Sequence, residues 1–384
     1  MNHPRSLLRL APLLLVACGS GGGSTQASDA GRDSPSGSSG DAGKDGAPAN
    51  GEDSGIPEGS PITATADKWT WVPFPDSACA NGSATGIGVN LTGTPGSRVL
   101  IYLEGGGACW SDLTCFTLMT AVNFTTGYGE TDFDDDVAAE LSLAGGFFDR
   151  TTAANPFKDY SYVYVPYCTG DIFGGDNVMT FASGTAHFVG YKNMGAYLAR
   201  LVPTFSDADR IILAGSSAGG FGAALNWWRA QEAFGSIRVD LIDDSGTAVP
   251  DKVLGTAGVA LAETQSTAWR LTFPPGCTTC ATDLSTLYGY YQTALPKQHG
   301  ALLSYTDDTV LPSFFGITTA EFAQGLSDDL GAYFGAKSNL KAFVNGGAGH
   351  VLWFTPQLTT GTTTVQEFIT QMVTDDASWA TVNP

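Results

Sequence analysis

The stretch Leu213-Ala214-Gly215-Ser216-Ser217-Ala218-Gly219-Gly220 decides the reading of this chain. It ends an apolar, β-branched run that includes Ile211 and Ile212, and it passes directly into the helix-compatible segment from Phe221 to Ala230. A Gly-x-Ser-x-Gly pattern between a strand and a helix is the setting in which a serine is held at the tip of a sharp, strained turn, its hydroxyl presented to a cleft. The flanking glycines let strand and helix approach without Cβ atoms in the way. Ser217 is therefore the candidate nucleophile. With 49 glycines in the chain the pattern alone carries moderate weight, and the strand before it and helix after it add to that weight.

A serine hydroxyl needs a base to take its proton, and the chain has four histidines. His3 lies in the N-terminal leader, His187 is read as opening the helix before the nucleophile strand, and His299 sits in a polar turn. His350 follows a strand in the Gly-rich stretch Asn345-Gly346-Gly347-Ala348-Gly349-His350, a loop able to deliver an imidazole to a cleft. The acid that fixes the imidazole tautomer belongs after a strand between these two positions. Ala301-Leu302-Leu303-Ser304-Tyr305-Thr306-Asp307-Asp308 supplies two adjacent aspartates that the pattern does not separate, and Asp243-Asp244 after Leu241-Ile242 is the second choice. An oxyanion needs preorganised N–H donors. The strand Val99–Leu103 runs into Glu104-Gly105-Gly106-Gly107-Ala108-Cys109, so the N–H groups of Gly106 and Gly107, with that of Ala218 just after the nucleophile, are the expected donors.

Apolar runs at 98–103, 160–166, 210–214, 239–242, 301–305 and 341–344 alternate with helical stretches such as 190–202, 222–233 and 365–374. Alternation of this kind gives an α/β-hydrolase-like fold, a mostly parallel central sheet with helices on both faces. The chain order serine, acid, histidine suits that fold.

The N-terminal residues are of a different kind. Arg5 and Arg9 precede an apolar stretch, Leu10 to Ala17, that runs into Cys18 as Leu15-Val16-Ala17-Cys18, a signal peptide with a lipobox-like cysteine. Residues 1–18 are thus expected to be a lipoprotein leader with Cys18 acylated, residues 19–60 a disordered Gly/Ser/Asp-rich tether, and residues 61–384 the catalytic domain. The expected location is an exported, membrane-anchored or cell-surface protein, and the expected state a monomer. Six of the seven cysteines remain after Cys18, an even number that favours disulfides over metal in an exported chain, and Cys277-Thr-Thr-Cys280 reads as a local staple. The formal charge of −20 excludes a nucleic-acid partner. No motif calls for a cofactor or metal.

These residues resemble the pectin acetylesterases and their Notum-type carboxylesterase relatives. The resemblance spans most of residues 76–355 and rests on Cys79-Ala80-Asn81-Gly82-Ser83, Leu103-Glu104-Gly105-Gly106-Gly107-Ala108-Cys109, the five-residue gap between Cys109 and Cys115, Tyr167-Cys168-Thr169-Gly170-Asp171 and Gly215–Gly220. It implies a serine carboxylesterase that removes acetyl groups from cell-wall polysaccharide, selects Asp307 over Asp308 as the acid, and treats Asp244-Ser245-Gly246 as a family element outside the triad. It also implies the pairs Cys79–Cys168 and Cys109–Cys115 beside the Cys277–Cys280 staple. Alternatives are a Notum-like lipid-ester hydrolase and a non-catalytic surface glycan-binding protein. The chain departs from the family where an aromatic residue often follows the glycine pair and here stands Gly107-Ala108, and its histidine loop lacks cysteine neighbours. A net charge of −20 opposes an approach to polyanionic pectin and keeps neutral acetylated glycans in view, with Trp110 and Trp353 as candidate sugar-stacking residues.

Overall fold

The computed structural model describes residues 59–94, 97–141 and 147–384. The expected leader, Cys18 and most of the expected tether lie outside them. Its last two residues do not: the Gly59 N–H donates to the Ala199 carbonyl at 2.8 Å, and the Arg200 Nε donates to the Ser60 carbonyl at 3.1 Å, so both are part of the folded domain.

Eight strands form one sheet: β1 Thr70–Phe74, β2 Thr85–Asn90, β3 Val99–Leu103, β4 Ser161–Val165, β5 Arg210–Ser216, β6 Arg238–Asp244, β7 Gly300–Asp308 and β8 Leu340–Gly349. The spatial order is β1-β2-β4-β3-β5-β6-β7-β8. β2 runs antiparallel to both β1 and β4, and every pairing from β4 to β8 is parallel. All six strands expected from the apolar runs are present. The antiparallel edge β1–β2 was not among them, because Thr-Gly-Ile-Gly-Val-Asn has too few apolar residues for its burial to be seen; Gly88 is required there by the ring of Phe133, against which a Cβ would collide.

Strand alternation sends neighbouring side chains to opposite faces, which gives the sheet two cores. Ile101, Leu103, Ile211, Leu213, Val239 and Leu241 face one core, with helices α1 Gly190–Thr204, α2 Ala218–Phe234, α3 Asp251–Trp269, α4 Thr286–Ala294 and, beyond the short α5 Leu311–Phe315, α6 Thr319–Tyr333. Leu100, Tyr102, Ile212, Ala214 and Leu303 face the other, with α7 Val365–Val373 and a group of aromatic rings from the loops. β3, β4 and β5 are buried along their whole length, as parallel strands covered on both faces must be. The α/β-hydrolase-like fold expected from the sequence is present.

The described cysteines form Cys79–Cys168, Cys109–Cys115 and Cys277–Cys280, the three expected pairs. Among the described residues no helix is long and apolar enough to cross a membrane, and no group of three or more His, Cys, Asp or Glu could hold a metal ion. His187 lies not at a helix start but in the strand Thr185–Phe188, paired with Asn177–Thr180 in a small hairpin.

Candidate active site

β5 ends at Ser216 and α2 begins at Ala218, so Ser217 occupies the turn between them with φ 56° and ψ −119°. A non-glycine residue in that region is strained, and the surroundings hold it there: the Ser217 N–H donates to the Asp244 carbonyl at 2.7 Å. A Cβ at Gly215 would collide with the Gly219 carbonyl, and one at Gly219 with the Leu103 carbonyl. The glycine spacing therefore reflects β5, α2 and the end of β3 converging at one point.

β7 and β8 are adjacent and parallel, and after a register irregularity between Asn345 and Ala348 they pair Ala348 with Asp307 and Gly349 with Asp308. His350 thus emerges one residue past the end of β8, beside the end of β7. Its Nε2 lies 2.8 Å from Ser217 Oγ and its Nδ1 2.8 Å from Asp308 Oδ2. Asp308 is fully buried, and its Oδ1 accepts from the N–H groups of Val310 and Leu311, both at 2.8 Å. These bonds satisfy the carboxylate on one side and aim it at the imidazole on the other.

The structure places Asp308, not the expected Asp307, against His350 Nδ1. On a strand, successive side chains point to opposite faces, so when Asp308 turns toward the cleft Asp307 must turn away, and it is exposed. The pattern of two adjacent aspartates left the choice open; the phase of the strand relative to His350 closes it. The second-choice loop contributes no partner to His350 Nδ1, but Asp244 is bonded to the main chain on both sides of the site.

The glycine loop lies beside the serine. A Cβ on Gly105 would stand 3.1 Å from Ser217 Cβ. Gly107 adopts φ 75°, which a residue with a side chain adopts only under strain, and the Val122 N–H bonds to the Gly106 carbonyl at 2.9 Å. The N–H groups of Gly106 and Gly107 have no protein acceptor among the described residues. Ala218 is the first residue of α2, at the end where the helix N–H groups lack intrahelical partners and the positive end of the dipole lies. Of the expected donor trio, Gly107 and Ala218 line the same cavity as Ser217.

From Ser217 a cavity of about 390 Å³ opens between α3 and the loop around α5. Its walls are mainly apolar, among them Leu254, Val259, Trp269, Leu311, Phe314 and Phe315, while Gly107 and Ala108 contribute little bulk beside the serine. Asp251 and Glu263 also line it. The helix α3 that forms one wall breaks at Gly255, where φ is 61°; it was not foreseen, because its alanines, threonines and glycines show no clear helical stripe.

The two tryptophans expected to stack on sugar are placed differently. Trp353 is fully buried on the opposite face of the sheet, its ring against Tyr102 at 5.1 Å and Phe147 at 4.7 Å between centroids, so it has no face free for a ligand. That expectation is overturned: the residue is three positions from His350 in sequence, but the chain dives into the core at Leu352. Trp110 is half-buried and edge-on to Trp269 and Phe314, behind two of the cavity walls.

The fold is α/β-hydrolase-like, and in it a serine, a histidine and an aspartate are hydrogen-bonded in series. Residues 70–283 match the pectinacetylesterase family, and the chain belongs to that family. It is 30% identical over 160 residues, 40% of this chain, to the palmitoleoyl-protein carboxylesterase NOTUM of Schmidtea mediterranea, and 34% identical over 158 residues, 38% of this chain, to palmitoleoyl-protein carboxylesterase notum2 of Xenopus laevis. The matched stretch spans 29% of the length of each of these relatives. The structure of the Wnt deacylase Notum from Drosophila superimposes with a TM-score of 0.64 at 18% identity, over 80% of this chain and 94% of that one, a likeness of fold.

Proposed function

We propose that this protein is a serine carboxylesterase. Ser217 attacks the acyl carbonyl and its proton passes to His350 Nε2; the imidazolium formed is held through Nδ1 by Asp308, and the N–H groups of Gly106, Gly107 and Ala218 receive the oxyanion. Collapse of that intermediate returns the proton to the departing alcohol, and a water activated by the same imidazole then frees Ser217. The observation that carries the reading is the continuous series Ser217 Oγ, His350, Asp308, with both contacts at 2.8 Å and the serine opening on a cavity.

The acyl group we assign to that cavity is an apolar chain longer than acetyl. The space of about 390 Å³, walled mainly by apolar side chains, is far more than a methyl needs. Each methylene it buries is worth about 0.8 kcal/mol, close to a fourfold gain in kcat/KM. The second reading, removal of acetyl from cell-wall polysaccharide, is favoured by the pectinacetylesterase match. Membrane attachment through acylated Cys18 and export, both expected from the N-terminal sequence, belong to the same proposal, as does a monomeric state.

Ser217→Ala should abolish turnover of p-nitrophenyl esters while leaving the thermal unfolding unchanged, and a fluorophosphonate should label the wild type at Ser217. An unlabelled wild type would favour a non-catalytic glycan-binding protein. kcat/KM is expected to rise from acetyl through butyryl to octanoyl esters. A preference for acetyl, with acetate released from pectin, xylan or mannan, would replace the long-chain reading with the polysaccharide one.

A further inference from the structure

Ser216, the residue before the nucleophile, has no part in the scheme above, yet its buried hydroxyl is bonded on both sides. Tyr102 donates to it at 2.9 Å, and it donates to Asp244 Oδ2 at 2.7 Å. Asp244, at the end of β6, is fully buried and accepts on both oxygens: the Leu352 N–H at 2.8 Å and the Ser245 hydroxyl at 3.3 Å on Oδ1, the Trp353 N–H at 3.0 Å on Oδ2. The Ser245 hydroxyl in turn accepts from the Val351 N–H at 3.2 Å. The three N–H groups that directly follow His350 are therefore satisfied by this pair of side chains rather than by a strand or helix, and the Asp244 carbonyl holds the Ser217 N–H as well.

A second observation marks the same segment. Val351 has φ 45°, a conformation that a β-branched residue adopts only when its surroundings impose it, at a cost of about 1–3 kcal/mol. The bonds from Asp244 and Ser245 impose it here, directly beside His350. Burial pushes the Asp244 carboxyl up, while the Leu352 N–H, the Ser216 hydroxyl, the Trp353 N–H and the nearby His350 pull it back down.

We propose that Asp244 is a positioning residue for the ester hydrolysis: it ties the chain after His350 to the Ser216–Ser217 turn and so sets the approach of the imidazole to the serine. This inference rests on the assignment of Ser217 as nucleophile and His350 as base. An amide cannot replace the carboxylate. Asparagine has one accepting oxygen, so in either orientation its NH₂ faces one of the two backbone N–H groups, donor against donor, and the loop must shift. A displacement of about 1 Å between reacting groups can cost on the order of 100-fold in rate.

The test is steady-state kinetics of Asp244→Asn and Ser216→Ala on p-nitrophenyl butyrate, with active sites counted by exhaustive fluorophosphonate labelling. The expected result is near-complete labelling in both variants, kcat per labelled site reduced about 100-fold in Asp244→Asn and about 10-fold in Ser216→Ala, and KM within about threefold of wild type. A purely structural role would instead lower the labelled fraction and leave kcat per labelled site unchanged, and that outcome overturns the proposal. If Asp244→Asn does not fold, Ser216→Ala decides: a per-site kcat within about twofold of wild type overturns it, a loss near 10-fold supports it. A wild type that the probe does not label would overturn the nucleophile assignment and this inference together, whereas a labelled wild type with fully active variants would overturn this inference alone.

Discussion

Replacing Asp308 by asparagine should disable the base without disturbing the fold, and the structure gives the reason and the size of the effect. The Asp308 Oδ1 receives the buried N–H groups of Val310 and Leu311 at 2.8 Å each, and Oδ2 faces His350 Nδ1. Asparagine keeps those two N–H bonds only if its oxygen stays in the Oδ1 position, which puts its NH₂ against Nδ1. The imidazole must then accept at Nδ1 and carry its proton on Nε2, pointing at Ser217, where no lone pair remains to take the serine proton. The productive tautomer requires the amide to flip and leave both N–H groups unpaired. At about 1–3 kcal/mol for each orphaned group the penalty is about 2–6 kcal/mol, or roughly 1.5 to 4 decades in rate. The expected loss in kcat/KM for a p-nitrophenyl ester is therefore about 10³-fold, with a thermal midpoint close to wild type. Asp307→Asn changes an exposed side chain and should stay within about twofold, the scale of an ordinary surface substitution. If Asp308→Asn keeps more than a tenth of wild-type activity while Asp307→Asn loses most of it, the acid is Asp307 and the reasoning from the 2.8 Å contact fails.

Three further outcomes follow from particular residues. Ala262→Trp, on the α3 wall of the cavity, should lower kcat/KM for octanoyl esters by at least tenfold and spare acetyl esters; equal losses on both would mean that the acyl chain lies elsewhere. The Cys79–Cys168 disulfide closes a sequence separation of 89 residues, so Cys79→Ala with Cys168→Ala should cost about 4–5 kcal/mol in chain entropy, against about 2 kcal/mol for the Cys277–Cys280 staple across 3; denaturant midpoints for the two double variants test the ranking. Burial pushes the Asp329 carboxyl up to about 8, which means that the folded state favours its neutral form and loses stability, relative to the unfolded chain, as pH rises from about 4 to about 8. Asp329→Asn removes that dependence, so its unfolding free energy should gain on wild type by up to about 1.4 kcal/mol per pH unit across this window and level off above it; a difference that does not grow with pH would refute the shift.

Much of the site was legible in the residues because the chemistry of a nucleophile turn imposes local rules. Gly215, Ser217 and Gly219 fall within five residues and so form a pattern visible in the sequence, although the backbone that excludes a Cβ at Gly219 is that of Leu103, and the triple glycine after β3 marks a loop approached closely by other backbone. With the N-terminal His3 set aside, His350 stood out because the remaining two histidines lacked a setting after a strand. The six core strands were legible for a similar reason, since a parallel strand buried on both faces must be apolar throughout. The edge pair β1–β2 and the helix α3 were not, because their burial depends on what distant segments bring to them: Phe133 over Gly88 in one case, the cavity beside α3 in the other.

The sequence by itself determined a serine, a histidine and an aspartate in hydrolase order, an α/β sheet to carry them, the Cys277–Cys280 staple through its spacing, and the other two disulfide pairs through their likeness to a family. Only the tertiary structure decided which aspartate faces the imidazole, because Asp307 and Asp308 are chemically identical and differ only in the face of β7 to which each points relative to β8. It also decided that Trp353 packs into the core and that Asp244 grips the chain after His350, both of which depend on contacts between residues about a hundred positions or more apart in the chain, where no local pattern can record them.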